Sequence, residues 1–249
     1  MLHRRVFQFF IVYLLGIGLL FGIKLVLNLS DYVIPGPTDV WLTGQAEFSR
    51  YAGDVLDTFA VAVIGQVLSI LMALGVGVAG RRATWFGSFI KVAAYNVQAY
   101  PIVAIAPILF ILLGDGFLTR LFIAAMICYF PLLLSVIGIM SEPVVDIEHF
   151  YRVTGRLRWQ LEVKIRAFEN LHKLTTVISG SATLAMAGTI VAEFIAANAG
   201  IGYSIRIALY QSDLSKMLVA LFIIGITLSL YQGILELLGA GFKKAWAAG

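Results

Sequence analysis

The sequence predicts an all-α integral membrane protein with six transmembrane helices, and three observations carry that prediction. The first is composition. Of the 249 residues, 60% are hydrophobic and 13% charged, with a mean hydropathy of +0.93, whereas a soluble domain is about half apolar and about a quarter charged. The second is a set of six apolar stretches at about 6–27, 56–80, 87–113, 117–140, 174–197 and 215–240, each long enough as a helix to cross a hydrocarbon core of about 30 Å. The third is the placement of Lys and Arg. With the N-terminus inside, thirteen of the eighteen fall in inner segments, while Lys24, Arg50, Arg120, Arg206 and Lys216 fall outside. That bias puts both termini in the cytoplasm, and it accounts for the net charge of +4 without a nucleic-acid partner.

Taken in order, the elements form one transmembrane domain over residues 1–249. The basic start leads into an apolar run too long for a cleavable signal, so it reads as a retained membrane helix. The external segment 28–55 is too polar to span. Within it Pro35-Gly36-Pro37 is a turn, and Thr38 or Asp39 caps a short helix beginning near Val40. With Trp41 and Phe48, that helix is expected along the outer interface. The lone Cys128 excludes an intramolecular disulfide and reads as a small buried hydrophobe.

Segment 141–173 is different: from Arg152 to Lys173 it holds six of the eighteen Lys and Arg. Ser141 or Glu142 can cap its start, Pro143 fits the first turn, and Gly155 fits a left-handed stop. A second helix follows from about Arg156 to Leu171. Its apolar residues Leu157, Leu161, Ile165 and Phe168 form one stripe, and Arg158, Glu162 and Arg166 form i,i+4 pairs on the other side. The segment is thus a cytoplasmic, amphipathic helix pair. Periodicity leaves two placements open, on the bilayer surface or docked into a partner.

No nucleotide-binding, hydrolase or metalloprotease motif is present. His3, His149 and His172 lie too far apart in sequence to form a metal motif, and no metal site is expected. Polar groups inside spans are costly and so draw attention. Gln66 lies within the second span. Asn96 and Tyr100 share one face of the third, with Tyr95 and Gln98 on another. Thr189 stands one turn before Glu193 on the fifth. Gln66, Asn96, Gln98, Tyr100 and Thr189 are candidates for a substrate path, with helix–helix hydrogen bonds as the alternative for each. Pro101 removes a helix hydrogen bond and frees a carbonyl that can line a cavity.

Several stretches in order then bring a family into view. "VIPGPTDV", "AYPIVAIAPILFILLGDG", "YFPLLLSVIGI" and "GTIVAEFIAANAGIGYSI" resemble the membrane-spanning permease subunits of bacterial ABC importers, in particular the nitrate/sulfonate/taurine/bicarbonate group. The resemblance runs from about Val33 to Glu236. Segment 141–173 is similar to the family's coupling motif, in which Glu-Ala-Ala, three residues, Gly, nine residues and Ile-x-Leu-Pro follow one another. Gly155, Gln160 and Ile165 keep the spacing. His149, Phe150 and Tyr151 stand in place of Glu-Ala-Ala, and Ala167 and Phe168 in place of Leu-Pro.

The resemblance implies a type I ABC importer permease fold in a bacterial inner membrane. It implies an ABC ATPase surface made by Phe150, Tyr151, Arg152, Gly155, Arg156, Arg158, Trp159 and Gln160. The bulky Phe150 and Tyr151 require a reshaped groove in that ATPase. Pro101, Pro107 and Glu193 take gating or structural roles. This chain binds no cofactor; ATP and Mg belong to the ATPase subunits. The other partners implied are a solute-binding protein and a second permease, identical or, alternatively, a different one. Gln98 stands where family members often carry Arg, which favours a neutral or aromatic substrate over a small inorganic anion. Two rival readings are a secondary transporter driven by an ion gradient and a membrane-anchored scaffold.

Overall fold

The apolar stretches fold as helices, and the breaks between them fall at proline, glycine, asparagine and serine. The computed structural model describes residues 2–80, 85–142, 144–154 and 159–247, and among them every regular element is helical. The first helix, α1, is Leu2–Val26, and it ends before Asn28, which adopts a left-handed backbone. Helix α2 is Pro37–Gly80, 44 residues in one piece. At 1.5 Å per residue it is about 66 Å long, about twice the hydrocarbon thickness.

This length corrects the expected outer segment, because no separate interfacial helix precedes the second span. Pro37 takes the first helical position, where its missing N–H costs nothing. Asp39 reaches back to accept a bond from the Gly36 N–H at 3.1 Å, half of a capping box. No proline interrupts the chain from Thr38 to Gly80, so the helix that starts at Pro37 runs on into the span. Trp41 and Phe48 ride on its exposed side.

The third span departs further from expectation. It is two helices, α3 Trp85–Ala99 and α4 Ile102–Leu113, bent by 87°. Pro101 has no N–H to donate and disfavours helical backbone at Tyr100. Tyr100 N–H closes a tight turn onto Val97 O at 3.2 Å, and Pro101 O starts the next helix by accepting from Ala104 N–H at 2.8 Å.

The remaining elements are α5 Phe117–Ser141, α6 Val145–Thr154, α7 Trp159–Glu169, α8 Leu171–Ile195, α9 Ile201–Tyr210 and α10 Leu214–Ala247. Among the described residues, five helices (α1, α2, α5, α8 and α10) are long and apolar enough to cross a membrane, and the bent α3–α4 pair makes a sixth if it is one span.

Helix α5 is the centre, packed against α2 on one side and α8 on the other. Small residues allow that approach: Gly65 of α2 faces Ala124 of α5, and Gly188 of α8 faces Ala124 and Ile127. Ser69 bonds across to Ala125 O at 3.0 Å. Cys128 is buried at this junction, as the sequence predicts. Helix α1 is peripheral. It rests on α10 through Phe9, Phe10 and Tyr13, which surround Phe222.

Candidate functional site

The candidate residues separate into three zones. The first is the uncovered α3–α4 limb. Asn96, Gln98, Pro101 and Pro107 are exposed, and Tyr100 is 65% exposed. Tyr100 lies in the break rather than on α3, so it does not continue the face that carries Asn96. Tyr95 and Gln98 do share a face one turn apart on α3. The limb also exposes Phe89, Val92, Val103, Ile108 and Ile111. It is therefore a mixed surface with aromatic, amide and apolar groups, broken where backbone carbonyls lose their helical donors.

Gln66 and Thr189 lie elsewhere. Gln66 is 1% exposed and ties three helices together. Its Nε2 donates to Ile178 O and Ser181 Oγ of α8, both at 2.9 Å, while its Oε1 accepts from the Tyr231 hydroxyl of α10. Thr189 is fully buried and donates to Ala185 O at 2.9 Å within its own helix. The structure places both inside the bundle, where the Thr189 bond stays within α8 and the Gln66 bonds cross to α8 and α10. Interhelical bonds of this kind each contribute about 0.6–2 kcal/mol in membranes. Gln66→Leu should therefore lower stability by about 1–3 kcal/mol, read as a lower Tm in detergent with the α-helical signal unchanged.

The second zone is a latch where α8 ends and α9 begins. Glu193, in the last turn of α8, has no solvent exposure. Its Oε2 accepts from the Thr58 hydroxyl of α2 at 2.7 Å and from Gly202 N–H of α9 at 3.1 Å. Its Oε1 faces the Arg120 guanidinium of α5 at 3.3 Å. Thr58 Oγ1 in turn accepts from Ile201 N–H at 2.9 Å. Arg206 holds the end of α8 by donating to Phe194 O and Ala197 O at 3.3 and 2.6 Å. One carboxylate thus joins α2, α5, α8 and α9.

Gly200, with φ +90°, makes the turn between α8 and α9. A Cβ there would meet the Glu193 carboxylate at 2.2 Å, and one on Gly202 would meet Ile190 O at 2.4 Å. The sequence singled out Glu193 but not its partners. Arg120 is 73 residues away, and no local periodicity connects the two.

The third zone is the charged segment. Phe150 of α6 and Trp159 of α7 are exposed, Trp159 by 57%. Tyr151 and Arg152 lie in α6 and Gln160 in α7; Gly155, Arg156 and Arg158 lie outside the described residues. Helix α7 turns Val163 and Ala167 inward against the cluster that includes Leu174 and Met140, while Leu161 and Phe168 face outward. Of the expected apolar stripe, Leu161 and Phe168 are exposed and Ile165 is half-buried, Leu157 lies outside the described residues, and Val163 and Ala167 make the internal contact.

Charge fixes α7 in place. Arg166 pairs with Glu162 one turn earlier at 3.3 Å and donates to Glu142 O at the end of α5. Lys173 of α8 pairs with the Glu142 carboxylate. Cations at a helix C-terminus satisfy its last carbonyls and complement its dipole.

Comparison with known proteins now bears on this arrangement. The family described as "Binding-protein-dependent transport system inner membrane component" matches residues 65–244. The riboflavin transport system permease protein RibX of Chloroflexus aurantiacus is 37% identical over 143 residues, covering 56% of this chain and 53% of that protein. The chain thus spans about half the length of that relative. The formylaminopyrimidine transport permease protein ThiX of Halalkalibacterium halodurans is 22% identical over 202 residues, 79% of each chain. A probable ABC transporter permease protein of Haemophilus influenzae is 25% identical over 215 residues, covering 83% of this chain and 85% of that one. The family match takes in α2 from Gly65, the bent limb, the α5–α8 centre, the Arg120, Glu193 and Gly202 part of the latch and most of α10, and the chain belongs to the binding-protein-dependent transport system inner membrane components: it is a multi-pass, non-catalytic ABC permease subunit.

Proposed function

We propose that two copies of this chain, two ABC ATPases and a solute-binding protein form an importer in a bacterial inner membrane, and that its passenger is a small, uncharged, planar heterocycle. The uncovered limb at residues 95–101 carries this reading. Tyr95, Asn96, Gln98 and Tyr100 offer two aromatic faces and two amides, with no charged side chain between Tyr95 and Pro101. Such a surface recognises a flat ring with hydrogen-bonding edges by stacking and amide contacts. Residues 95–101 supply no cation of the kind a small inorganic anion requires; the nearest on α3, Lys91, stands one turn before Tyr95. The names of two relatives point to the same chemistry, since riboflavin and formylaminopyrimidine are both nitrogen heterocycles. The second copy covers the apolar remainder of the limb.

Both termini and the α6–α7 pair face the cytoplasm, where the ATPases bind ATP and Mg. Phe150 and Trp159 enter a groove of the ATPase. Motion of α7 passes to α5 and α8 through Arg166, Glu142 and Lys173, and so to the centre of the bundle. Coexpression with the ATPase and binding protein encoded beside it, followed by reconstitution, tests the whole reading. ATP-dependent uptake of riboflavin or a pyrimidine is expected; uptake of sulfate or nitrate in its place would overturn the substrate class.

The coupling surface has its own test. Buried aromatic anchors at interfaces each contribute about 2 kcal/mol or more. Each of F150E and W159E should therefore reduce ATPase retained in mild detergent by about thirtyfold or more, and the double substitution by more than either, with membrane insertion unchanged. Full retention would place the docking surface elsewhere.

A further inference from the structure

Between α1, α8 and α10 lies a cleft of about 790 Å³, within the range of about 300–1,000 Å³ usual for ligand sites. Helices α1 and α8 both pack on α10, and the cleft opens where they diverge. From α1 come Arg4, Arg5 and Gln8; from α8, His172, Thr175, Thr176 and Ser179; from α10, Gln232 and Glu236. In a chain this apolar, so many polar groups at one gap between membrane helices need a polar occupant.

Charge defines the occupant. Arg5 is taken up by Glu236, to which it donates, and it also reaches Gln232 Oε1 at 3.5 Å. Arg4 is exposed and forms no ion pair among the described residues. The Thr175 and Thr176 hydroxyls donate to His172 O, and Gln232 Nε2 donates to Thr183 Oγ1. The cleft therefore has one surplus guanidinium, and Gln8 and Ser179 add polar groups to its lining. That matches a monoanion with several acceptor oxygens, as in a phosphodiester. A free phosphate dianion would bring a second negative charge next to Glu236.

The groove also changes character along its length. Ile11 and Leu15 continue the α1 face of Arg4 and Gln8 at helical spacing, and both are exposed. A ligand lying there is charged at the end and apolar toward the middle of the membrane. We infer that the α1–α8–α10 cleft binds the headgroup of an anionic phospholipid of the cytoplasmic leaflet, with Arg4 contacting its phosphodiester and Ile11 and Leu15 lying along an acyl chain. The leaflet rests on the orientation proposed above. Basic pockets between transmembrane helices on that side are suited to anionic headgroups.

The test uses the full-length chain in detergent, with native mass spectrometry and thermal unfolding as readouts. Phosphatidylglycerol should be retained and should raise Tm. Phosphatidylcholine and inorganic phosphate should do neither at equal concentration. R4Q, at an exposed position without an ion pair, should fold normally and bind phosphatidylglycerol about five- to tenfold more weakly. Equal binding of phosphatidylcholine would reduce the groove to a generic lipid contact and overturn the proposal. Equal protection by inorganic phosphate would make it a site for a soluble anion and also overturn it, as would wild-type affinity in R4Q. Lipid retention is read without ATP, binding protein or substrate, so this inference and the transport reading fail separately.

Discussion

Replacing Glu193 by alanine should destabilise the protein by about 3–5 kcal/mol, because it leaves the Arg120 guanidinium in the bundle with its counter-charge removed. The side chain of Arg120 is only 13% exposed, and its Nε is buried without a hydrogen-bond partner among the described residues. The substitution also removes acceptors from Thr58 and from Gly202 N–H, so the middle of α2 and the start of α9 lose a shared tie. The expected result is a large fall in Tm in detergent and in the yield of inserted protein. R120M should cost a similar amount, now by leaving the carboxylate unpaired. The double variant E193L/R120M should recover more than half of either loss, since a buried ion pair stabilises little over a well-packed apolar one. If the losses in the double variant simply add, the ion pair is not what the single substitutions disrupt.

The turn beside this carboxylate predicts an effect as large from one methyl group. Gly200→Ala combines a positive φ with a Cβ placed 2.2 Å from the Glu193 carboxylate. A fixed backbone and a buried charge both resist that displacement, and a loss of more than about 4 kcal/mol is expected. Gly202→Ala pushes against backbone at Ile190 O and should be nearly as severe. Gly180→Ala provides the comparison. It is helical, with nothing within 4 Å of an added Cβ, and should be neutral or slightly stabilising. Uptake and thermal unfolding of the three variants side by side would check the order; equal behaviour of Gly200→Ala and Gly180→Ala would remove the latch as a structural requirement.

Much of the fold was legible because bilayer physics acts locally. Runs of apolar residues mark membrane helices whatever they pack against. The resemblance supplied the family. Legibility ended where residues far apart in sequence meet. Glu193 stood out as a costly acid, but neither Arg120 nor Thr58 could be assigned to it from spacing. Gln66 invited a path reading because its three partners lie on two other helices. At Pro101 the missing N–H marked a weak point, yet whether the helix bends slightly or by 87° depends on what holds each half. In α7 the apolar stripe was real, but tertiary packing chose Val163 and Ala167 as the inner contacts.

The unbroken α2 has a mechanical consequence. Its buried residues form one stripe from Tyr51 to Gly80, and its first turns also touch the bundle, where Val40 packs on the core cluster and Gly44 lies beside Val219 of α10, while Trp41, Leu42 and Phe48 are uncovered. A rod about 66 Å long without a hinge turns angle into distance: a tilt of about 10° about its Gly80 end moves its Pro37 end by about 11 Å. A small displacement of the α10 start that touches Gly44 therefore becomes torque at the Gly65 and Gly77 contacts with α5.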